Sequence, residues 1–275
     1  MIMNKLFSQL SREATAMRMK LVELSHQTKT AHLGSCLSIV DILITLYNGK
    51  IMNVSPDNFR DETRDRFILS KGHAANALYA VLAGNGFFPE EMLLEIGHPG
   101  SRLEEHPRLG AAPGIEATSG SLGHGLPIGA GMALAAKINS LDYRVFVLMS
   151  DGECNEGTVW EAALFAAKRK LNNLRVIIDF NKWQATDRSL DVMALDPLKD
   201  KWQAFGWNTV EVDGHDIAQL HTAFKDSFNA TSPSAIIAHT TKGKGISFME
   251  DDNNWHYRIP NKEELEKVKS ELGFK

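Results

Sequence analysis

The sequence predicts an α/β fold: a parallel sheet flanked by helices on both faces. Two short apolar runs, residues 144–150 and 174–180, read as strands buried on both sides. Residues 158–169 between them carry helical spacing, so the three segments form a βαβ unit and the strands run parallel. The alternation then continues through a strand at 207–212, a helix at 217–229 and a strand at 235–240.

The remaining elements follow in chain order. Leu10, Ala14, Met17, Leu21 and Leu24 recur at helical spacing and predict an amphipathic helix over 7–28. His32, Leu33, Gly34 and Ser35 break it, and Ser38 opens a second helical run to Tyr47. Residues 66–70 read as a short strand ending at Lys71-Gly72-His73, with a helix over 74–83. Residues 97–125 crowd Gly, Pro, His and small side chains together, and a loop of that length inside a compact domain is usually functional. A Gly/Ala helix over 126–137 follows, in which Gly125, Gly129 and Ala133 stand four apart, a spacing that suits close packing inside the chain or against a second subunit. Residues 262–272 form a charged closing helix, and the absence of a repeat or linker makes 1–275 one domain.

Composition excludes several classes of function. The chain has 275 residues, 43% hydrophobic and 23% charged, with 30 basic against 34 acidic side chains and a net charge of −4. Such a balance disfavours disorder and offers no broad positive field for nucleic acid or an anionic membrane. Cys36 and Cys154 are the sparse usage of a reducing compartment, and the polar start of the chain offers no secretory segment, so a cytoplasmic protein is expected. No apolar run reaches the length of a membrane span.

Open parallel sheets bind ligands beyond the carboxyl ends of their strands. There the 144–150 strand ends in Ser150-Asp151-Gly152-Glu153-Cys154-Asn155-Glu156-Gly157. Asp151 stands at the strand tip, Gly152 lets the backbone turn close to a ligand, and the next helix N-terminus is aimed at an anion. The following strand ends in Asp179-Phe180-Asn181-Lys182-Trp183, which brings Asn181 to the same edge. A carboxylate, an amide oxygen and backbone carbonyls form an oxygen-only shell that suits Mg²⁺ or Ca²⁺ rather than zinc. Asp-Gly alone also reads as an ordinary turn; the Asn one strand later raises the metal reading.

The run from Ser150-Asp151-Gly152 to Asn181, thirty positions from Asp to Asn, resembles the thiamin diphosphate fingerprint that opens with Gly-Asp-Gly and closes with Asn. Ser150 replaces the first Gly. His32-Leu33-Gly34, Ser70-Lys71-Gly72-His73, Glu105-His106-Pro107, the 118–125 run Thr-Ser-Gly-Ser-Leu-Gly-His-Gly, Lys242-Gly243-Lys244-Gly245 and Trp255-His256 are similar to transketolase, in order, across nearly the entire chain. Leu33 stands where the family usually has Pro.

The resemblance implies a thiamin-diphosphate-binding fold of the diphosphate type and assigns roles. Asp151, Asn181 and the backbone carbonyl of Trp183 would hold Mg²⁺, or Ca²⁺ or Mn²⁺, against the cofactor diphosphate. Lys71, His73, Gly152, Glu153, Asn181, Lys242 and His256 would approach the cofactor, and Gly120 and Leu122 would line it. His32, His73, His106 and His256 would face the sugars, where a neutral imidazole exchanges a hydroxyl proton near pH 7. Glu156 and Glu161 would form an acidic link between two active sites, against the plainer reading of carboxylates favoured by a helix N-terminus.

What the resemblance covers is the N-terminal half of the family's chains. It implies one subunit of a split transketolase, inert alone, whose partner is a C-terminal subunit carrying the pyrimidine-binding domain, in an α2β2 heterotetramer that moves a two-carbon ketol unit between sugar substrates. The pentose phosphate pathway, a specialised pathway with an unusual or nucleotide-linked sugar, and a non-catalytic cofactor-binding scaffold all remain open at this point. The α subunit of a 2-oxo-acid dehydrogenase shares the fingerprint but not the histidine loops.

Overall fold

Successive side chains of a strand point to opposite faces of a sheet, and here each face has its own apolar cluster. In the computed structural model, which describes residues 2–274, Phe67, Leu69, Phe146, Leu148, Ile177 and Ile236 enter one cluster. Their neighbours Ile68, Val145, Val147, Val176, Ile178 and Ile237 enter the other. That two-sided burial is why the strand sequences read as continuous apolar runs.

The elements in order are α1 (Ile2–Thr28), α2 (Leu33–Leu37), α3 (Val40–Tyr47), β1 (Arg66–Leu69), α4 (Ala75–Gly84), α5 (Gly125–Ile138), β2 (Val145–Ser150), α6 (Gly157–Lys168), β3 (Leu174–Phe180), α7 (Ser189–Val192), α8 (Leu198–Ala204), β4 (Asn208–Asp213), α9 (Ile217–Ser227), β5 (Ser234–His239) and α10 (Lys262–Leu272). The five strands form one sheet in the order β1-β2-β3-β5-β4, and every pair is parallel. Helices α1 to α4, α9 and α10 feed the first cluster; α5, α6 and α8 feed the second. Edge strand β4 is largely exposed, its polar residues facing water where the sheet stops.

Two expectations change, and the packing reading of α5 is borne out. The break predicted at 32–35 falls instead at 29–32: α1 stops at Thr28, Lys29 (φ 58°) and His32 (φ 66°) take left-handed backbones, and a helix restarts at Leu33 as α2. Helices α7 and α8 and a 3-10 turn at Glu90–Glu95 were not expected; each is too short to show a helical period in sequence. The Gly125, Gly129, Ala133 face packs inward: a Cβ on Gly129 would lie 2.5 Å from Val147 Cγ2, and one on Gly125 would collide with the Ser70 side chain. Close approach of α5 to its own sheet accounts for the spacing.

The long 97–125 segment stays free of helix and strand until α5 begins, as expected. Cys36 and Cys154 are free and buried. Among the described residues no helix is long and apolar enough to cross a membrane.

Candidate active site

The carboxyl ends of β1, β2, β3 and β5 deliver Lys71, Asp151, Asn181 and Lys242 to one edge of the sheet. Beside them opens a cleft of about 440 Å³. Its walls include His73, His106, Gly120, Leu122, Gly152, Glu156, Asn181, Trp183 and His256 from the expected set, with Ser35, Asn155, Gln184 and Thr186 in addition.

The four histidines cluster although they come from four separate loops. The His32 ring centroid lies 5.0 Å from His256, 5.5 Å from His73 and 6.2 Å from His106, and His73 lies 5.5 Å from His256. A backbone bond from His32 N to the His256 carbonyl (2.9 Å) ties the first loop to the last. Burial, and then the His106 ring and the Lys242 and Lys71 charges, push the His32 pKa down to about 4. Burial, followed by the Lys242 charge, pushes His256 down to about 3. His73 is lowered well below its ordinary value, burial acting before the Lys71 charge. These three imidazoles are neutral at pH 7, each able to donate from one nitrogen and accept at the other.

Asp151 is fully buried, and no cationic side chain contacts it. Its Oδ1 accepts from Gly152 N (2.8 Å), and its Oδ2 accepts from Lys182 N (2.9 Å) and Ser189 Oγ (2.8 Å). Burial raises its pKa to about 7, the Asp179 charge adding to the effect. Asn181 donates Nδ2 to Asp179 Oδ2 (2.8 Å), which turns its Oδ1 the other way, where Trp183 N reaches it at 3.0 Å. A dehydrated carboxylate without a cation, beside an oriented amide oxygen, suits a hard divalent ion. Among the described residues no three His, Cys, Asp or Glu side chains gather as a metal shell, consistent with a set built from one carboxylate, one amide and backbone oxygens.

The cleft also fits a large polar ligand. Asn155 Oδ1 and Gln184 Nε2 are buried on its wall without a hydrogen-bond partner, as is Ser119 Oγ beside Gly120. Gly120 takes φ 131° and brings its backbone so near His106 that a Cβ would sit 3.0 Å from the ring.

Three residues expected near the cofactor have partners inside the chain. The Lys71 ammonium is fully buried and belongs to Asp179 Oδ2 (2.5 Å), with Ser35 O at 3.1 Å, so it underlies the cleft without lining it. Lys242 gives its Nζ to Asn253 Oδ1 (2.6 Å) and His256 Nδ1 (2.9 Å). Glu153 is fully buried and staples the chain to itself, accepting from Ser70 Oγ (2.5 Å), Gly123 N (2.9 Å) and Ser150 N (2.9 Å). In each case polar neighbours inside the chain already hold the side chain in place. Glu161 is exposed on α6 and does not reach the cleft; Glu156, also exposed, stands at its rim.

Asp179 is the residue that sequence reasoning missed. It holds Lys71, Ser38, Asn181 and Thr240 together, and the Lys71 charge and these hydrogen bonds outweigh burial to keep its carboxyl below the usual range. Its signal was a carboxylate inside a mainly apolar strand, β3, whose one other charged residue is Arg175. His215 was likewise passed over: it bridges Asp41 and Thr241 N (2.8 Å each) and so supports the loop that carries Lys242.

Residues 10–275 match the family described as transketolase, thiamine diphosphate binding domain. The chain belongs to the transketolase family. This transketolase chain is 42% identical over 257 residues to a subunit of the apulose-4-phosphate transketolase of Phocaeicola vulgatus, covering 93% of this chain and 91% of that one. A 6-deoxy-6-sulfo-D-fructose transketolase subunit of Clostridium sp. is 40% identical over 242 residues, 88% of each chain. The crystal structure of Campylobacter jejuni transketolase superposes with a TM-score of 0.90 at 27% identity, covering 97% of this chain but 43% of that one. Against a single-chain transketolase, therefore, this transketolase spans less than half the length; against the subunits it spans nearly all.

Proposed function

We propose that this chain is the thiamin-diphosphate-binding subunit of a two-chain transketolase, active in the cytoplasm with a C-terminal partner subunit that carries the pyrimidine-binding domain. The observation that carries the reading is the likeness to two proteins named as transketolase subunits, 42% and 40% identical and covered to 91% and 88%, in a chain that gathers the histidines at one cleft. Asp151, Asn181 and the Trp183 carbonyl would hold Mg²⁺, and the cofactor diphosphate would lie against Gly152, Asn155, Gln184 and His73. Among the described residues no Lys or Arg lines the cleft, so the metal and the buried Lys71 and Lys242 charges would balance the diphosphate.

Bound there, the cofactor supplies the carbon nucleophile of ketol transfer. The chain's own share is proton traffic and orientation. His32, His106 and His256, two of them held neutral by burial and nearby cations, would take or return the proton of a sugar hydroxyl. The substrates are sugars bearing a phosphate or sulfonate, in keeping with the names of the two relatives. Because the cleft offers that anion no cation, the partner would bind it. Glu156 precedes α6 and Glu161 lies on it, where Leu164 and Phe165 are also exposed; a second copy covering this helix in an α2β2 assembly would bring the carboxylates between two sites.

The test is to co-purify the chain with its partner and assay ketol transfer with thiamin diphosphate and Mg²⁺ over a panel of phosphorylated and sulfonated ketose donors. Transfer that needs both chains is expected. Cofactor binding without transfer from any donor would overturn the enzymatic reading.

A further inference from the structure

Two loops meet at the mouth of the cleft, one following β3 and one following β5, and a single cluster of side chains joins them. Arg188 donates Nη1 and Nη2 to Oδ1 and Oδ2 of Asp251, 2.6 Å each. Its guanidinium carbon stacks 3.8 Å from the centroid of the Trp183 indole, and the indole Nε1 donates to Asp251 Oδ1 at 2.8 Å. The three side chains therefore form a closed ring of contacts between the loops.

Each side of that ring is anchored in the site. On the β3 side, Trp183 and Arg188 pair through an antiparallel bridge, Ser189 N donates to the Lys182 carbonyl (3.0 Å), and Ser189 Oγ donates to Asp151 Oδ2 (2.8 Å). On the β5 side, Asp251 N donates to the Lys242 carbonyl (2.8 Å), and Asn253 accepts from Lys242 Nζ (2.6 Å) while donating to the Ala185 carbonyl (3.2 Å). Lys242 in turn holds His256. A continuous run of contacts thus leads from Asp151 through Trp183, Arg188 and Asp251 to His256.

An isolated exposed ion pair contributes little to stability, and the Arg188 and Asp251 side chains are 36% and 53% exposed. This pair differs in being two-pronged and in stacking on an aromatic ring, both of which restrict its geometry. It also closes two loops whose backbones are left-handed at non-glycine residues, Lys182 (φ 69°) and Asp251 (φ 58°), conformations that persist only when surrounding contacts impose them.

We propose that Arg188 and Asp251 are positioning residues that latch the metal loop to the His256 loop, so that filling the Asp151, Asn181, Trp183 set and placing the His256 imidazole are one coupled event. This rests on the functional reading above. Metal binding draws on the latch because the Trp183 backbone supplies a ligand while its indole is clamped. His256 draws on it because the clamped Asp251 fixes the turn that carries Asn253 and Lys242.

The experiment compares wild type, Arg188→Gln, Arg188→Lys and Asp251→Asn in the complex of the chain with its C-terminal partner. Mg²⁺ is titrated calorimetrically at saturating thiamin diphosphate, and hydrogen exchange of residues 250–257 is followed with and without Mg²⁺ and cofactor. Arg188→Gln and Asp251→Asn are expected to bind Mg²⁺ about tenfold more weakly, a free-energy change of about 1.4 kcal/mol, with an unchanged melting temperature. Arg188→Lys is expected to fall between them and wild type. Mg²⁺ and cofactor should protect 250–257 in wild type and leave it unprotected in Arg188→Gln. Wild-type Mg²⁺ affinity in the variants, or equal protection in Arg188→Gln, overturns the latch while the functional reading stands. A wild type that binds no thiamin diphosphate in the presence of Mg²⁺ overturns the functional reading itself, and the latch with it.

Discussion

Lys242 Nζ lies 2.9 Å from Nδ1 of His256, and this contact fixes which imidazole nitrogen faces the cleft with a proton. An ammonium only donates, so Nδ1 must accept and the ring proton rests on Nε2. The lysine orients the imidazole proposed above to exchange the sugar hydroxyl proton. Replacing Lys242 with Met keeps most of the stem and removes the donor and the charge. The His256 pKa, held near 3 by burial and then by this cation, should rise, as read from the ring proton shifts in NMR. Turnover of the two-chain enzyme should fall by roughly tenfold to a hundredfold, the scale of a misaligned general acid or base. An unchanged His256 titration would show that the contact does not govern the ring.

Acid should weaken the fold through the same histidines. With folded pKa values near 4 for His32 and near 3 for His256 against 6.5 unfolded, both states are neutral above pH 6.5 and the stability is fully present. Below 6.5 the unfolded chain takes up protons that the folded chain refuses, so stability falls until pH passes the folded values. Each group contributes at most about 1.4 kcal/mol per pH unit inside its window. Urea midpoints at pH 7.5 and 5.5 should therefore differ more in wild type than in His256→Gln; equal differences would remove His256 from the explanation.

Asp179 and Lys71 form a buried ion pair at the base of the site, and each residue depends on the other. Asp179→Asn leaves the ammonium without its carboxylate and should cost about 3–5 kcal/mol, the range for breaking a buried pair by removing one partner. The double variant Lys71→Met with Asp179→Leu should lose less than the sum of the single changes. Additive losses in urea unfolding would mean that the two groups are not coupled.

Two glycines of α5 separate packing from propensity. Gly129→Ala drives a methyl into Val147 and should destabilise by about 1–3 kcal/mol, the usual cost of overpacking. Gly131 has nothing of this chain within 4 Å of a would-be Cβ, so Gly131→Ala should stabilise the chain by up to about 1 kcal/mol through helix propensity. Thermal unfolding of this chain alone decides both signs.

The central strands were readable because burial on both faces writes itself as mainly apolar runs; Leu174–Phe180 is bounded as expected, and the other four shift by a residue at one or both ends. Helices α7 and α8, of four and seven residues, carry no period long enough to read. For the site, the order of motifs placed the right loops at one sheet edge. It could not say which way a side chain turns once there. Lys71, Lys242 and Glu153 stand in motif positions, yet each finds a buried internal partner, a fact decided by distances between segments 30 to 108 residues apart or by a neighbouring loop such as that of Asn253. Asp179 was invisible for the opposite reason: one carboxylate in a strand gives no sign of four partners from three other segments and its own.

Asp151 would anchor a divalent metal that holds thiamin diphosphate in the histidine cleft. Calorimetric titration of thiamin diphosphate into the complex of the chain and its partner, with and without Mg²⁺, for wild type and Asp151→Ala, tests it most directly. Mg²⁺-dependent binding by wild type and its loss in Asp151→Ala are expected; the same Mg²⁺-dependent affinity in both proteins would exclude Asp151 as the anchor.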